Sequence, residues 1–416
     1  MTTIAPVDTF PTSWPYFIAK DFQKAIVPAR WADGHPKQWQ GAESSITTKD
    51  RIRDGALSQD SRYLAVASAS EVTIYSITDG KICQMLTCPE GRFQRVLLRM
   101  MESSPSKDYC LLADFGSIPY PQTAFWKLDE HGKVQGTNKP VLIIKASLPD
   151  AGCDMFHPSS QYFLVYERER LPAATKEKHH SHNIEIWDAD FASLKLRIED
   201  MHDEIMSWVD FSPDGSTFAT SSMDQTAKIW NAASGALVRT FGPTGHQNWR
   251  VAHSPDGSRL ACGHGSGVLV WQIETGETIF KFDSNRHWVR SLAWHPSSKC
   301  LAYGHCNGGL QIRSVESGKV FQEWQLDMTR WPRQDTEVLV LGWFDGGRKL
   351  AFATGLHAGV EVYDVEENIK WRFAPSDEDS SLLTNGWRPL VPAYWIADNK
   401  SLLCLDADNK IRVWNL

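Results

Sequence analysis

Three groups of residues in this chain could do chemistry. "KEKHHSHN", Lys176 to Asn183, brings His179, His180 and His182 together, and neutral imidazoles ligate zinc and similar ions. "GHGSG", Gly263 to Gly267, has the small residues with which a loop can turn its N–H groups on a phosphate. The third group places arginine beside an aromatic ring: Trp249-Arg250, Trp288-Val289-Arg290, Trp387-Arg388, Trp331-Pro332-Arg333 and Phe93-Gln94-Arg95. Arg53 is similarly placed. A guanidinium stacked on a ring keeps its N–H donors for a carboxylate or phosphate.

Each group also has a plainer reading. No cysteine or acidic residue stands at ligand spacing around the histidines, so a polar loop accounts for them and no metal is expected. The glycines lie between two strand-like runs and not before a helix, which suits a tight turn. The aromatic–arginine pairs precede strand-like runs, where they would bind a partner or merely cover strand ends. Both of these remain open.

Bulk properties narrow the class. The chain has 416 residues, a net charge of −7, eight cysteines and 18 tryptophans. The mild negative charge gives no reason to expect nucleic acid as a partner. No apolar run is long enough for a membrane span, and "MTTIAPVDTFPTSWPYF" lacks the basic and apolar pattern of a leader. The cysteines form no C-x-x-C pair, and several sit in apolar runs. Reduced, buried thiols are expected, and with them the cytoplasm or nucleus.

The elements that must position these groups repeat. An apolar or aromatic residue with a partner seven positions later recurs as Leu57/Leu64, Phe156/Phe163, Phe211/Phe218, His253/Leu260, Trp294/Leu301, Trp343/Leu350 and Trp395/Leu402. An aromatic column follows at Tyr75, Trp187, Trp230, Trp271, Tyr363 and Trp414, broken once by Arg313. A degraded eighth copy lies between Phe93 and Lys133. Short alternating runs with turn signals, repeating at roughly 40 to 50 residues, are the pattern of a β-propeller blade.

These residues resemble the WD-repeat family. Trp187-Asp188 matches its namesake dipeptide, with variants Trp230-Asn231, Trp271-Gln272, Tyr363-Asp364 and Trp414-Asn415. Ser212-Pro213-Asp214-Gly215 and Ser254-Pro255-Asp256-Gly257 match its first turn. The resemblance implies an all-β, eight-bladed propeller. A seven-bladed ring that leaves out the degraded copy is the alternative. It also implies a structural hydrogen-bonded set of His202, Ser221 (or Thr220), Asp224 and Trp230. That set accounts for a His, Ser and Asp otherwise suggestive of a catalytic triad, and no G-x-S-x-G elbow accompanies it.

The last copy stops after its third strand, so its outer strand is expected from Glu43 to Thr48, "ESSITT". Residues 42–416 would then form one propeller, with 1–41 an aromatic-rich extension packed on its outside or across one face. In this family the connections leading to first strands crown the face where partners dock. The functional expectation is a non-catalytic scaffold without cofactor, binding an acidic or phosphorylated peptide through Arg53, Phe93, Arg95, Trp249, Arg250, Trp288, Arg290, Trp387 and Arg388. The alternative is a small-molecule binder or enzyme using His253, His264 or His305 near the channel mouth.

Overall fold

The computed structural model describes residues 18–35, 37–38, 42, 44–87, 91–117, 120–148, 155–168, 182–283, 287–327, 337–354, 359–374, 393–395, 400–405 and 409–416. Eight antiparallel meanders follow one another along the chain. Blade 1 spans residues 54–87, blade 2 95–144, blade 3 147–198 and blade 4 206–241. Blade 5 spans 248–283, blade 6 289–326, blade 7 338–374 and blade 8 393–415. The degraded copy is therefore a full member, the four-stranded blade 2, and the ring has eight blades rather than seven.

The register explains the repeated anchors. First-column residues pair across the sheet with their partners, as in Phe211↔Phe218, His253↔Leu260, Trp294↔Leu301 and Trp343↔Leu350. Those partners pair in turn with the aromatic column: Phe163↔Trp187, Phe218↔Trp230, Leu260↔Trp271, Leu350↔Tyr363 and Leu402↔Trp414. Directly opposite residues share a face, so each row forms one apolar band across its blade. Arg313 holds the same place opposite Leu301, and its guanidinium lies 3.8 Å from the centre of the Phe282 ring. A planar cation thus stands in for the missing aromatic.

One blade cannot bury both of its faces, and the bands meet between neighbours. Ala56, Ile74 and Trp126 join blades 1 and 2, while Phe218, Trp230 and Trp271 belong to a cluster spanning blades 3, 4 and 5. Val362 and Phe373 meet Leu402 and Trp414 between blades 7 and 8, and Leu403, Leu405 and Ile411 meet Leu64, Val66 and Tyr75 between blades 8 and 1. The first strands of blades 1 and 2 lie side by side, as do those of blades 4 to 7 in succession. Blade 3 departs from the pattern: its innermost segment is reduced to the bridges Ser147↔Tyr166 and Phe156↔Phe163.

The ring closes as the missing strand requires. Ser44–Thr47 pairs antiparallel with Lys410–Asn415 and supplies the outer strand of blade 8. The segment before it runs over two other blades. Ile18–Lys20 adds a fifth strand to blade 6, and Arg30–Trp31 and Lys37–Gln38 pair in parallel with Ile369–Ala374 of blade 7. Between these strands the fully buried Phe22 stacks on Tyr363 at 4.1 Å, in a cluster with Trp324 and Phe352.

Candidate functional site

The first strands all begin at one end of the ring. Because each blade is an antiparallel meander, the turns between second and third strands lie at that same end, here called the loop face. Most of the chemistry-bearing residues singled out above are carried there.

In blade 4 a buried chain of hydrogen bonds ties this face to the core. Trp230 Nε1 donates to Thr220 Oγ1 at 2.9 Å, and Thr220 Oγ1 lies 2.7 Å from His202 Nε2. His202 Nδ1 lies 2.8 Å from Asp224 Oδ2, and Thr226 donates to Asp224 Oδ1. A neutral His202 with its proton on Nδ1 satisfies every member. The hydroxyl in this set belongs to Thr220 and not to Ser221, which corrects one assignment. Phe218 lies opposite Trp230, and strand alternation puts Thr220 on that face and Ser221 on the other. The Ser221 hydroxyl is buried there with no partner.

Two shifts follow from this geometry. Burial holds the His202 imidazole below its ordinary value. Burial alone would raise the Asp224 carboxyl, but the hydrogen bonds from His202 and Thr226 outweigh it and hold the group well below the usual carboxylate range. Both shifts oppose acid. The unfolded chain takes up a proton at His202 below about pH 6.5 and at Asp224 below about pH 4, where the folded chain resists both. These two groups are therefore expected to lower the melting temperature between pH 7 and pH 3.5, against an opposite contribution from the Asp54 carboxyl, which burial raises to about 6. Asp224→Ala should cost about 1–3 kcal/mol at pH 7 by stranding buried donors, and should flatten the part of the curve below about pH 4. Parallel melts across that range check both; an equally steep curve in the variant would refute the assignment.

A second arrangement spans blades 4 to 6. The Arg250 guanidinium lies 3.9 Å from the Trp208 ring centre, and that of Arg290 lies 4.1 Å from Trp249 and 5.2 Å from Trp288. The rings of Trp249 and Trp288 are 5.2 Å apart. Stacking at these distances is favourable by about 0.5–1 kcal/mol per pair at partly exposed sites. Arg290 Nη2 also lies 3.3 Å from Glu337 Oε1. The two closest pairings, Arg250 with Trp208 and Arg290 with Trp249, are between blades. Trp208 escaped the sequence reading, although it sits three residues before Phe211 as Arg250 sits three before His253.

On blades 1 and 2, Arg53 donates to Gln94 Oε1 at 2.6 Å and Arg95 to the Leu148 carbonyl at 2.9 Å. Burial, then the like charges of Arg92 and Arg51, lower the Arg53 guanidinium below its ordinary value. The nearby Asp54 carboxyl is pushed up to about 6 by burial. Phe93 does not belong on a binding face, a second correction. It is fully buried against Phe115 and Trp126, because it leads the blade 2 inner strand from its core side. Trp387, Arg388, Trp331 and Arg333 lie outside the described residues, as does "KEKHHS" of the histidine-rich loop.

The histidines named for acid–base work have other surroundings. His253 Nδ1 lies 2.9 Å from Asp210 Oδ2 of the preceding blade, and the His253 backbone N–H donates to the same oxygen at 2.7 Å. His264 is buried and stacked on His246. His305 Nδ1 faces the His287 carbonyl at 3.3 Å. His264 pairs with Gly267 across a two-residue turn, so the glycine-rich stretch is a hairpin. Among the described residues no group of three His, Cys, Asp or Glu could hold a metal ion.

Two family models match the chain: "WD domain, G-beta repeat" over residues 195–231 and "Anaphase-promoting complex subunit 4 WD40 domain" over residues 269–346. The first runs from the outer strand of blade 3 through the third strand of blade 4, the same offset by which the ring closes. The chain is a WD-repeat protein. Among WD-repeat relatives, it is 32% identical over 103 residues to "Lissencephaly-1 homolog" of Caenorhabditis briggsae, covering 24% of this chain and 26% of the relative. It is 29% identical over 168 residues to "Small ribosomal subunit protein RACK1y" of Oryza sativa subsp. japonica, covering 39% and 49%. With "Apoptotic protease-activating factor 1" of Homo sapiens it shares 24% identity over 242 residues, covering 56% and 17%. The matches thus span at most about half the length of these relatives. No helix among the described residues is long and apolar enough to cross a membrane.

Proposed function

We propose that this WD-repeat propeller is a non-catalytic interaction scaffold whose loop face binds an acidic or phosphorylated segment of a partner protein. The observation that carries the reading is the Trp208–Arg250 and Trp249–Arg290 stacking across adjacent blades. Stacking fixes each guanidinium plane, and Trp and Arg are the residues that most often dominate interface energies. The like charges around Arg53 extend the same basic character to blade 1. Two of the matches, a small ribosomal subunit protein and a subunit of the anaphase-promoting complex, are named as members of assemblies. No cysteine among the described residues forms a disulfide, in keeping with the cytoplasm or nucleus. We further propose residues 42–416 as the propeller unit, with 1–41 an extension fastened to its rim.

The histidine-based alternative is less well supported. His253 is paired with Asp210 of the preceding blade and His264 is buried against His246.

Replacing Arg250 and Arg290 together by Ala should lower stability by only about 0.5–1 kcal/mol per lost stack. Binding to the partner recovered by affinity purification should weaken several-fold or more, with a shallower dependence on salt than the parent shows. Calorimetry against that partner at low and high salt checks this. Unchanged binding in the double variant at both salts would place the partner elsewhere.

A further inference from the structure

A cleft of about 120 Å³ is cut into the loop-face end of blade 6, bordered by His287, His305, Asn307, Gln311, Glu323 and Gln325. Its hydrogen-bonding groups are unevenly spent. Gln325 donates through Nε2 to the carbonyls of Asn307 and Leu326, at 2.9 and 3.2 Å, so its Oε1 is left as an acceptor. Gln311 donates to Glu323 Oε1 at 3.2 Å, and its own oxygen is taken by Tyr303 and Arg313. Asn307 Oδ1 is buried with no partner. His305, only 6% exposed, turns Nδ1 to the His287 carbonyl, which keeps the proton on Nδ1 and presents the Nε2 lone pair. Burial pushes that imidazole down to about 4, so it stays neutral.

Two of these acceptors lie against one glycine. A Cβ on Gly309 would lie 2.5 Å from Gln325 Oε1 and 3.1 Å from Asn307 Oδ1. Only a residue without a side chain leaves room for both oxygens here. The walls thus offer unpaired acceptors beside a carboxylate, Glu323, whose other oxygen meets Lys20 of the N-terminal segment. A flat cation with several N–H groups suits such walls.

We propose that this cleft receives the guanidinium group of an arginine side chain from a partner peptide, held by Asn307 Oδ1, Gln325 Oε1 and His305 Nε2 beside the Glu323 carboxylate. A guanidinium spreads five donors in one plane and suits acceptors set at different angles; an ammonium is a compact point charge. The site is independent of the Arg–Trp stacks, which call for the opposite charge. A partner segment that carries both an acidic group and an arginine could use the two together.

The test uses the full chain labelled with ¹⁵N-histidine and titrated with N-acetyl-arginine methylamide. A saturable change in the His305 Nε2 resonance is expected. The citrulline counterpart, equal in shape but uncharged, should need at least about tenfold more to give the same change. Glu323→Gln and Asn307→Leu should each weaken the response about tenfold, with the His202 resonances reporting that the ring is intact. The Arg250→Ala, Arg290→Ala double variant should respond as the parent does, which separates this site from the one proposed above. Absence of a saturable change with the arginine probe would overturn the assignment. So would an equal response to citrulline, or undiminished binding in a folded Glu323→Gln variant.

Discussion

Truncation of residues 1–50 is expected to abolish most of the soluble monomer, whereas truncation of residues 1–41 is expected to leave the ring closed. The larger deletion removes Ser44–Thr47, which pairs with blade 8 at Lys410↔Thr47, Ile411↔Ile46, Arg412↔Ser45 and Val413↔Ser44. Those pairs contribute about 0.5–1.5 kcal/mol per hydrogen bond, and Ile46 adds part of the roughly 1.5–3 kcal/mol of a buried side chain. Their loss also bares the edge of Lys410–Asn415, whose free N–H and C=O groups invite pairing with another chain. The smaller deletion spares that strand but uncovers the place of Phe22 beside Tyr363, Trp324 and Phe352, so it should be destabilised without aggregating as readily. Soluble yield, gel filtration and thermal melts of both truncations check this. An undiminished melting temperature for the 1–50 deletion would mean that closure does not depend on the shared blade.

Trp230→Ala is expected to lower stability by roughly 3–5 kcal/mol, the range for truncating a large side chain in a packed core. Trp230 is 6% exposed, lies opposite Phe218, and belongs to the cluster that joins blades 3, 4 and 5. Its removal also takes away the donor at Thr220 Oγ1, the first link of the chain that reaches Asp224. Trp230→Phe separates the two contributions: it refills most of the space but makes no such hydrogen bond, and should recover more than half of the loss. Urea unfolding of both variants measures the difference. A thermally silent Trp230→Ala would contradict the place of this strand between its neighbours.

Much of this fold was legible because its organising contacts are cross-strand pairs of fixed spacing. Phe211 finds Phe218, and Phe218 finds Trp230, through hairpins whose lengths scarcely vary, so linear spacing stands in for geometry. The closing strand could be placed for the same reason. What escaped depends on contacts between copies. Arg250 lies over Trp208 and not over its sequence neighbour Trp249, because side chains of adjacent residues point to opposite faces of a strand while neighbouring blades bring equivalent positions together. Phe93 was misplaced because aromatic–arginine adjacency cannot tell a ring that turns inward from one that turns out. Ser221 and Thr220 differ by one residue, and only the pairing register decides between them. The N-terminal segment showed its aromatic content but not its path, since strands of two or three residues carry no usable alternation.

The join between Ser44–Thr47 and Lys410–Asn415 also sets an order of events during synthesis. The strand that completes blade 8 leaves the ribosome before any blade exists, and its partner leaves after the other seven. Neighbouring blades can pack as they emerge, since their contacts are local in the chain. The closing strand can only wait, exposed, while the ring grows toward it. Its pairing is the longest-range strand pairing among the described residues, and such pairing is slow. A chaperone that shields a nascent edge would act over that interval, and a stalled chain lacking blade 8 would remain an open arc however well its finished blades had folded.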